Sequence, residues 1–245
     1  MSGLAVGRLG GWLRTGAVLV GAAVLLTAYP PNRLPAQVGH PPGHSPYRDI
    51  MPGSSLVVGF GYLTGGRGIV GVGPSNGRSV NARYERPFSR VLSATLAAGY
   101  AQASRFVADP AKDSAQHISG PVDNGVYVVD AGVQFLLTGA KTWHGLAPLL
   151  GFSAGVAVSG KAPAADSSGY RFRPRATFGP RAGVRWYLAP RLSLRADARL
   201  LFWRLSYPLA YKQPSPDGSR VLAIGAADRE WTRHPWFSVG LGWTF

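Results

Sequence analysis

The stretch Trp236-Phe237-Ser238-Val239-Gly240-Leu241-Gly242-Trp243-Thr244-Phe245 closes the chain. Phe237, Val239, Leu241, Trp243 and Phe245 alternate in it with Trp236, Ser238, Gly240, Gly242 and Thr244, so one face is wholly apolar. A two-residue period marks a strand with unlike faces, because successive side chains leave the pleat on opposite sides. The sequence ends on that apolar aromatic face without a polar tail, which a strand of a soluble sheet rarely does.

The same period recurs upstream. Alternating segments fall at about 54–64, 78–86, 92–100, 127–137, 146–156, 176–186 and 192–202, which with 236–245 makes eight strands. Between them lie a Gly-rich loop after the first strand and long polar segments at about 104–125, 159–172 and 206–233. The connections after the second, fourth and sixth strands are short, so long and short alternate strictly. In hydrocarbon every backbone polar group must be paired within the protein, so a sheet spans a bilayer only when it closes on itself. The expected fold is therefore all-β, an eight-stranded antiparallel up-and-down transmembrane barrel with its long loops at one end. Pro180, well inside the sixth strand, has no N–H for the ladder, and a bulge or a locally weak pairing is expected there.

With apolar faces outward, Tyr62, Tyr100 and Tyr127 fall near one bilayer interface, and Tyr84, Trp186, Trp243 and Phe245 near the other, as two aromatic girdles. The inverse arrangement, a lipocalin-like soluble barrel with its greasy face inside, fits poorly with a terminal Phe and many glycines on the opposite face. The inward face carries Arg83, Arg181, Arg185, Arg195 and Arg199 against Glu85, Asp130 and Asp197. Eight strands enclose only enough room for side chains, so these charges are expected to form a packed ionic network. If the turn after the sixth strand is tight, Arg181 and Asp197 are expected to lie near each other across the hairpin. A narrow anion pathway is the competing reading, since basic groups outnumber acidic ones.

Composition agrees with one β domain: 245 residues hold 33 Gly and 20 Pro, with 15% charged residues. With no Cys and five scattered His, neither a metal site nor another cofactor site is expected. Arg8 and Arg14 precede an apolar run from Thr15 to Ala28 that is too short to span, followed by Pro30 and Pro31. Residues 1–36 read as a secretory signal cleaved after Ala36 or Ala28, with an uncleaved anchor as the alternative. Its loss after Ala36 removes three arginines and no acid, lowering the formal net charge from +15 to +12. Residues 37–53 read as an irregular N-terminal periplasmic arm, in which Ser45 to Asp49 is a linker or a docking element, and 54–245 as the barrel. Such basicity can signal nucleic acid, but no basic helix or aromatic RNA-binding motif is present. An anionic lipid leaflet is the expected partner, met by loops that carry Arg105, Lys112, Arg171, Arg173, Lys212 and Arg220.

The terminal strand, with Phe245 last, an aromatic at Trp243 and apolar residues at Leu241, Val239 and Phe237, resembles the C-terminal recognition strand of bacterial outer-membrane β-barrels. That resemblance implies reading by the barrel-assembly machinery and residence in the outer membrane. The whole arrangement is similar to small eight-stranded barrels such as the membrane domain of outer-membrane protein A. It differs from that protein in having no C-terminal peptidoglycan-binding domain, so cell-wall anchoring is not implied. The resemblance implies a structural or surface-interaction role toward lipopolysaccharide or an external ligand. The alternatives are a narrow anion or small-solute channel, and a lipid A-modifying enzyme. For the enzyme, only His234, Ser206 and Glu230 around the longest loop are candidates, and no motif links them, so the reading is non-catalytic.

Overall fold

Eight long antiparallel strands close into a ring in the computed structural model, which describes residues 45–160 and 168–245. In chain order the elements are β1 (Tyr47–Asp49), β2 (Ser55–Leu63), β3 (Ser75–Pro87), β4 (Leu92–Ala108), β5 (Ile118–Leu136), β6 (Lys141–Trp143), β7 (Leu146–Ser159), β8 (Arg175–Tyr187), β9 (Leu192–Ser206) and β10 (Arg229–Thr244). The ring runs β2-β3-β4-β5-β7-β8-β9-β10 and closes where β10 pairs with β2, Phe237 opposite Tyr62 and Trp243 opposite Leu56. No strand of the ring has a free edge, which satisfies every ladder without water. The expected signal segment, 1–36, lies outside the described residues.

The turns at one end are short because the chain can answer its own hydrogen bonds there. After β3, the amides of Phe88 and Ser89 donate to the Leu92 carbonyl, and Ser89 Oγ accepts from the amide of Leu92 at 3.0 Å. After β8, the Leu188 and Ala189 amides donate to the Leu192 carbonyl in the same way. At this end the chain differs from the expected irregular arm. β1 pairs with β6, Tyr47 opposite Trp143 and Asp49 opposite Lys141, with the Ile50 amide donating to the Ala140 carbonyl at 2.8 Å. Three residues are too few for periodicity to reveal; the partner strand makes them a strand.

At the other end the strands outrun the expected spans. β4 and β5 stay paired to Ala108 and Ile118, so the expected polar loop 104–125 is a hairpin extension with nine residues, 109–117, at its tip. Outside an apolar medium, neither face of a strand needs to be greasy, and the alternation used to find the strands fades although the ladder continues. At Pro180 the β8–β9 ladder has no pairs for Gly179 and Pro180, yet Phe178 opposite Phe202 and Arg181 opposite Arg199 share one register. The missing N–H opens a gap without a bulge.

Midway along every strand of the ring the outward positions are apolar: Phe60, Val80, Leu96, Val129, Phe152, Phe178, Leu200 and Val239 all lie on the outer wall. Inward glycine makes room where a large group crosses the lumen. A Cβ on Gly99 would stand 2.9 Å from the Trp236 ring, so β4 can carry no side chain there while Trp236 is fully buried.

Candidate functional site

The interior of the short-turn half holds two ion-pair clusters among the described residues, Arg83–Asp197–Arg195–Glu85–Arg185 and Arg181–Asp130–Arg199. Arg83, Glu85, Asp130, Arg181, Arg185, Arg195, Asp197 and Arg199 are all buried inside the ring. Register sets Arg181 opposite Arg199 and Arg185 opposite Arg195 on β8 and β9, two like-charge pairs that would repel by themselves. The neutralising acids come from elsewhere around the lumen, Glu85 on β3 and Asp130 on β5, with Asp197 on β9. Each acid holds two arginines. Asp197 Oδ2 lies 3.0 Å from Arg83 Nη1 and 2.6 Å from Arg195 Nε. Glu85 pairs with both Arg185 and Arg195. Asp130 accepts from Arg199 Nη2 at 2.6 Å, and its other oxygen is 3.6 Å from Arg181 Nη2.

Two features of the network differ from the sequence reading. Arg181 pairs with Asp130 and not with Asp197, because the tight turn after β8 sets Gly183 opposite Asp197. Gln134, uncharged and so passed over, braces the Glu85–Arg195 pair. Its amide donates to Glu85 at 2.9 Å and its carbonyl accepts from Arg195 Nη2 at 3.1 Å. Its inward parity was the available signal.

Toward the long loops the lumen changes from ionic to aromatic. Trp236 lies under Arg199, whose guanidinium carbon is 5.4 Å from the ring centroid. Trp203 stacks on His234 at 3.6 Å, and Phe172 meets Trp203 edge-on at 5.8 Å. Val70, Val72, Tyr170, Tyr207, Tyr211 and Leu222 fold in from the loops and complete one apolar cluster with Leu63, Leu201 and Leu205. Burying each large apolar side chain there contributes about 1.5–3 kcal/mol. Charge dominated the sequence reading of the loops, so this cluster was missed; the pairs Val70/Val72 and Tyr170/Phe172, two residues apart, were its only trace.

The loops are also tied to each other. Ser215 Oγ donates to the Pro110 carbonyl at 2.8 Å and lies 2.6 Å from His117 Nε2. A hydroxyl whose proton goes to Pro110 takes the histidine contact as acceptor, so Nε2 carries the proton and Ser215 is not an activated nucleophile. Asp217 accepts from the Ser114 amide at 2.8 Å and from Ser219, hydrogen bonds that hold its carboxyl well below the usual carboxylate range. Ser215→Ala would remove the bond to Pro110 and leave His117 Nε2 only the longer contact to Ser219 Oγ, at 3.4 Å, and is expected to loosen the 109–117 and 207–228 loops by about 1–3 kcal/mol. Faster cleavage of the 207–228 loop in limited proteolysis is the expected readout; an unchanged rate would show that the contact does not hold the loops.

No protein-family model matches this sequence, and no curated protein does. Among solved structures, the outer membrane protein OprG of Pseudomonas aeruginosa is similar to it at 12% identity, covering 80% of this chain and 98% of that one with a TM-score of 0.51. The fold is that of a small outer-membrane β-barrel. Neisserial surface protein A matches at 15% identity, over 78% of this chain and 97% of its own, with a TM-score of 0.49.

On this barrel the sequence-selected aromatics lie on the outer wall. Tyr100 and Tyr127 are adjacent, with ring centroids 4.8 Å apart, and β3 separates Tyr100 from Tyr62. Tyr84 and Trp243 flank Leu56 from either side, and Trp186 lies beside Leu146 and Leu194. The loop arginines divide. Arg105 is buried, 5.3 Å over the Tyr170 ring, and so is not part of an open basic surface as expected. Lys212 pairs with Asp228, whereas Lys112, Arg171, Arg173 and Arg220 are exposed. His234, Ser206 and Glu230 each have other partners: Thr232 Oγ1 for His234, Arg175 for Ser206, and Tyr207 with the Ile69 amide for Glu230. Burial and the Glu230 contact push the Tyr207 phenol above its ordinary range.

Proposed function

We propose that this chain is a bacterial outer-membrane barrel with a structural or surface-interaction role, in which the barrel is a rigid, filled support and the loops make the contacts. The observation that carries the reading is the occupied lumen, with arginine and carboxylate side chains bridging separate strands in one half and aromatic rings with infolded loops in the other. Export through a cleaved 1–36 signal belongs to this reading, as does assembly through the strand ending in Phe237, Val239, Leu241, Trp243 and Phe245. The short turns then face the periplasm, and the loops face lipopolysaccharide and the exterior.

Single-channel recording on detergent-refolded protein in a planar bilayer is the test, after unboiled and boiled samples have been shown to migrate differently on a gel. A folded sample is expected to be silent. The second reading is a narrow anion pathway, favoured by one observation: in the short-turn half of the ring five buried arginines face three buried acids among the described residues. Stable anion-selective steps that change in Arg195→Ala or Arg199→Ala would replace the surface reading with that one.

A further inference from the structure

We propose that a cavity at the long-loop rim, between the segment after residue 168 and the outer ends of β9 and β10, binds a sugar that carries clustered phosphate or sulfate groups. The proposal rests on the surface-interaction reading and names the ligand class and the site for it. The cavity measures about 640 Å³, and its wall includes Tyr170, Arg171, Arg173, Arg175, Arg204 and Arg229. Five guanidinium groups thus converge from a loop and three strands.

What separates these arginines from those in the lumen is their lack of counter-charge. Among the described residues, Arg171, Arg173, Arg204 and Arg229 have no carboxylate partner, and Arg175 donates only to Ser206 Oγ, at 2.9 Å. The acids beside Arg229 in sequence are already engaged, Asp228 by Lys212 and Glu230 by Tyr207 and Ile69. Like charges around one volume repel, and an oxyanion that answers several of them at once removes that repulsion. Guanidinium forks match phosphate and sulfate oxygens with two parallel hydrogen bonds each. The volume belongs to the range of small-ligand sites, roughly 300–1,000 Å³, and far exceeds what one inorganic anion fills. Tyr170 gives the wall a fixed surface: its ring is buried, and burial pushes its phenol up to about 12, against the pull of Arg175 and Arg105, so it stays neutral.

The site adjoins an apolar surface of the outer wall. Trp231 lies opposite Arg204 in the β9–β10 register, and Phe178 packs against both Phe202, at 5.7 Å, and Trp231, at 5.5 Å. The same chemistry can therefore arrive on a glycolipid headgroup, its chains along these rings, or as a free sugar phosphate or sulfate.

The probe is inositol hexakisphosphate, titrated calorimetrically into the folded protein in zwitterionic nanodiscs. Arg173→Gln with Arg229→Gln is expected to weaken binding at least about tenfold, through lost charge-assisted hydrogen bonds. Lys112→Gln with Arg220→Gln removes the same charge from exposed positions outside the cavity and is expected to change it less than about twofold. Equal losses in the two doubles, or no saturable binding to the wild type, would overturn the site. Adding a diphosphorylated glycolipid to the discs distinguishes the sources: competition with the probe assigns the site to a membrane headgroup, and undiminished probe binding assigns it to free sugar anions. A barrel that conducts yet keeps the difference between the doubles would remove the surface reading and leave the site standing.

Discussion

Asp197→Ala is expected to destabilise the folded barrel by about 3–5 kcal/mol, the cost of breaking a buried ion pair by removing one partner. Asp197 is the shared acceptor of Arg83 and Arg195, and both guanidinium groups are buried, so neither can turn to water when the carboxylate is gone. Glu85 still holds Arg195, but among the described residues Arg83 has no second carboxylate partner. Urea unfolding from vesicles, followed by the gel shift between folded and unfolded protein, gives the midpoint. Truncating Arg83 to Met in the Asp197→Ala background is expected to recover part of the loss, because the orphaned charge leaves with it. An unchanged midpoint in Asp197→Ala would mean that Asp197 contributes nothing to holding the walls together.

Ala198→Arg is the second large effect, expected to cost about 2–4 kcal/mol if the outer wall meets the middle of a bilayer. Ala198 points outward near the centre of β9, between Ala182 and Phe237 on the flanking strands. Gln102→Arg is the control, since it is outward and exposed beside Arg78 toward the long loops, where the same substitution is expected to cost about 0–1 kcal/mol. Normal folding of Ala198→Arg in water without detergent would contradict a lipid-facing wall and favour the soluble barrel.

Both predictions rest on strand parity, which the sequence carries openly. A strand between two unlike media must alternate, and each strand of this ring does, so the number of strands, their facing and the charges in the lumen could be read without coordinates. The short turns at 88–91 and 188–191 were equally legible, because a tight connection needs only local hydrogen bonds. The interior charges were legible as a set but not as partners: Arg181 was expected near Asp197, and its ion pair is with Asp130.

By itself, then, the sequence determined a closed eight-stranded ring with a greasy outside and a basic, charge-bearing inside, because those properties depend on what each residue faces. Tertiary structure alone decided which charges meet, since that follows from the registers of several ladders at once. It also decided that β4 and β5 continue past their apolar spans, that Tyr47–Asp49 becomes a strand on Lys141–Trp143, and that the loops turn their tyrosines and valines into the lumen. In each case backbone hydrogen bonds and shared burial with a partner segment outweigh local pattern. The arginine cavity also depends on pairing: its charges lie on a loop and three strands, and the β8–β9 and β9–β10 ladders bring them around one volume.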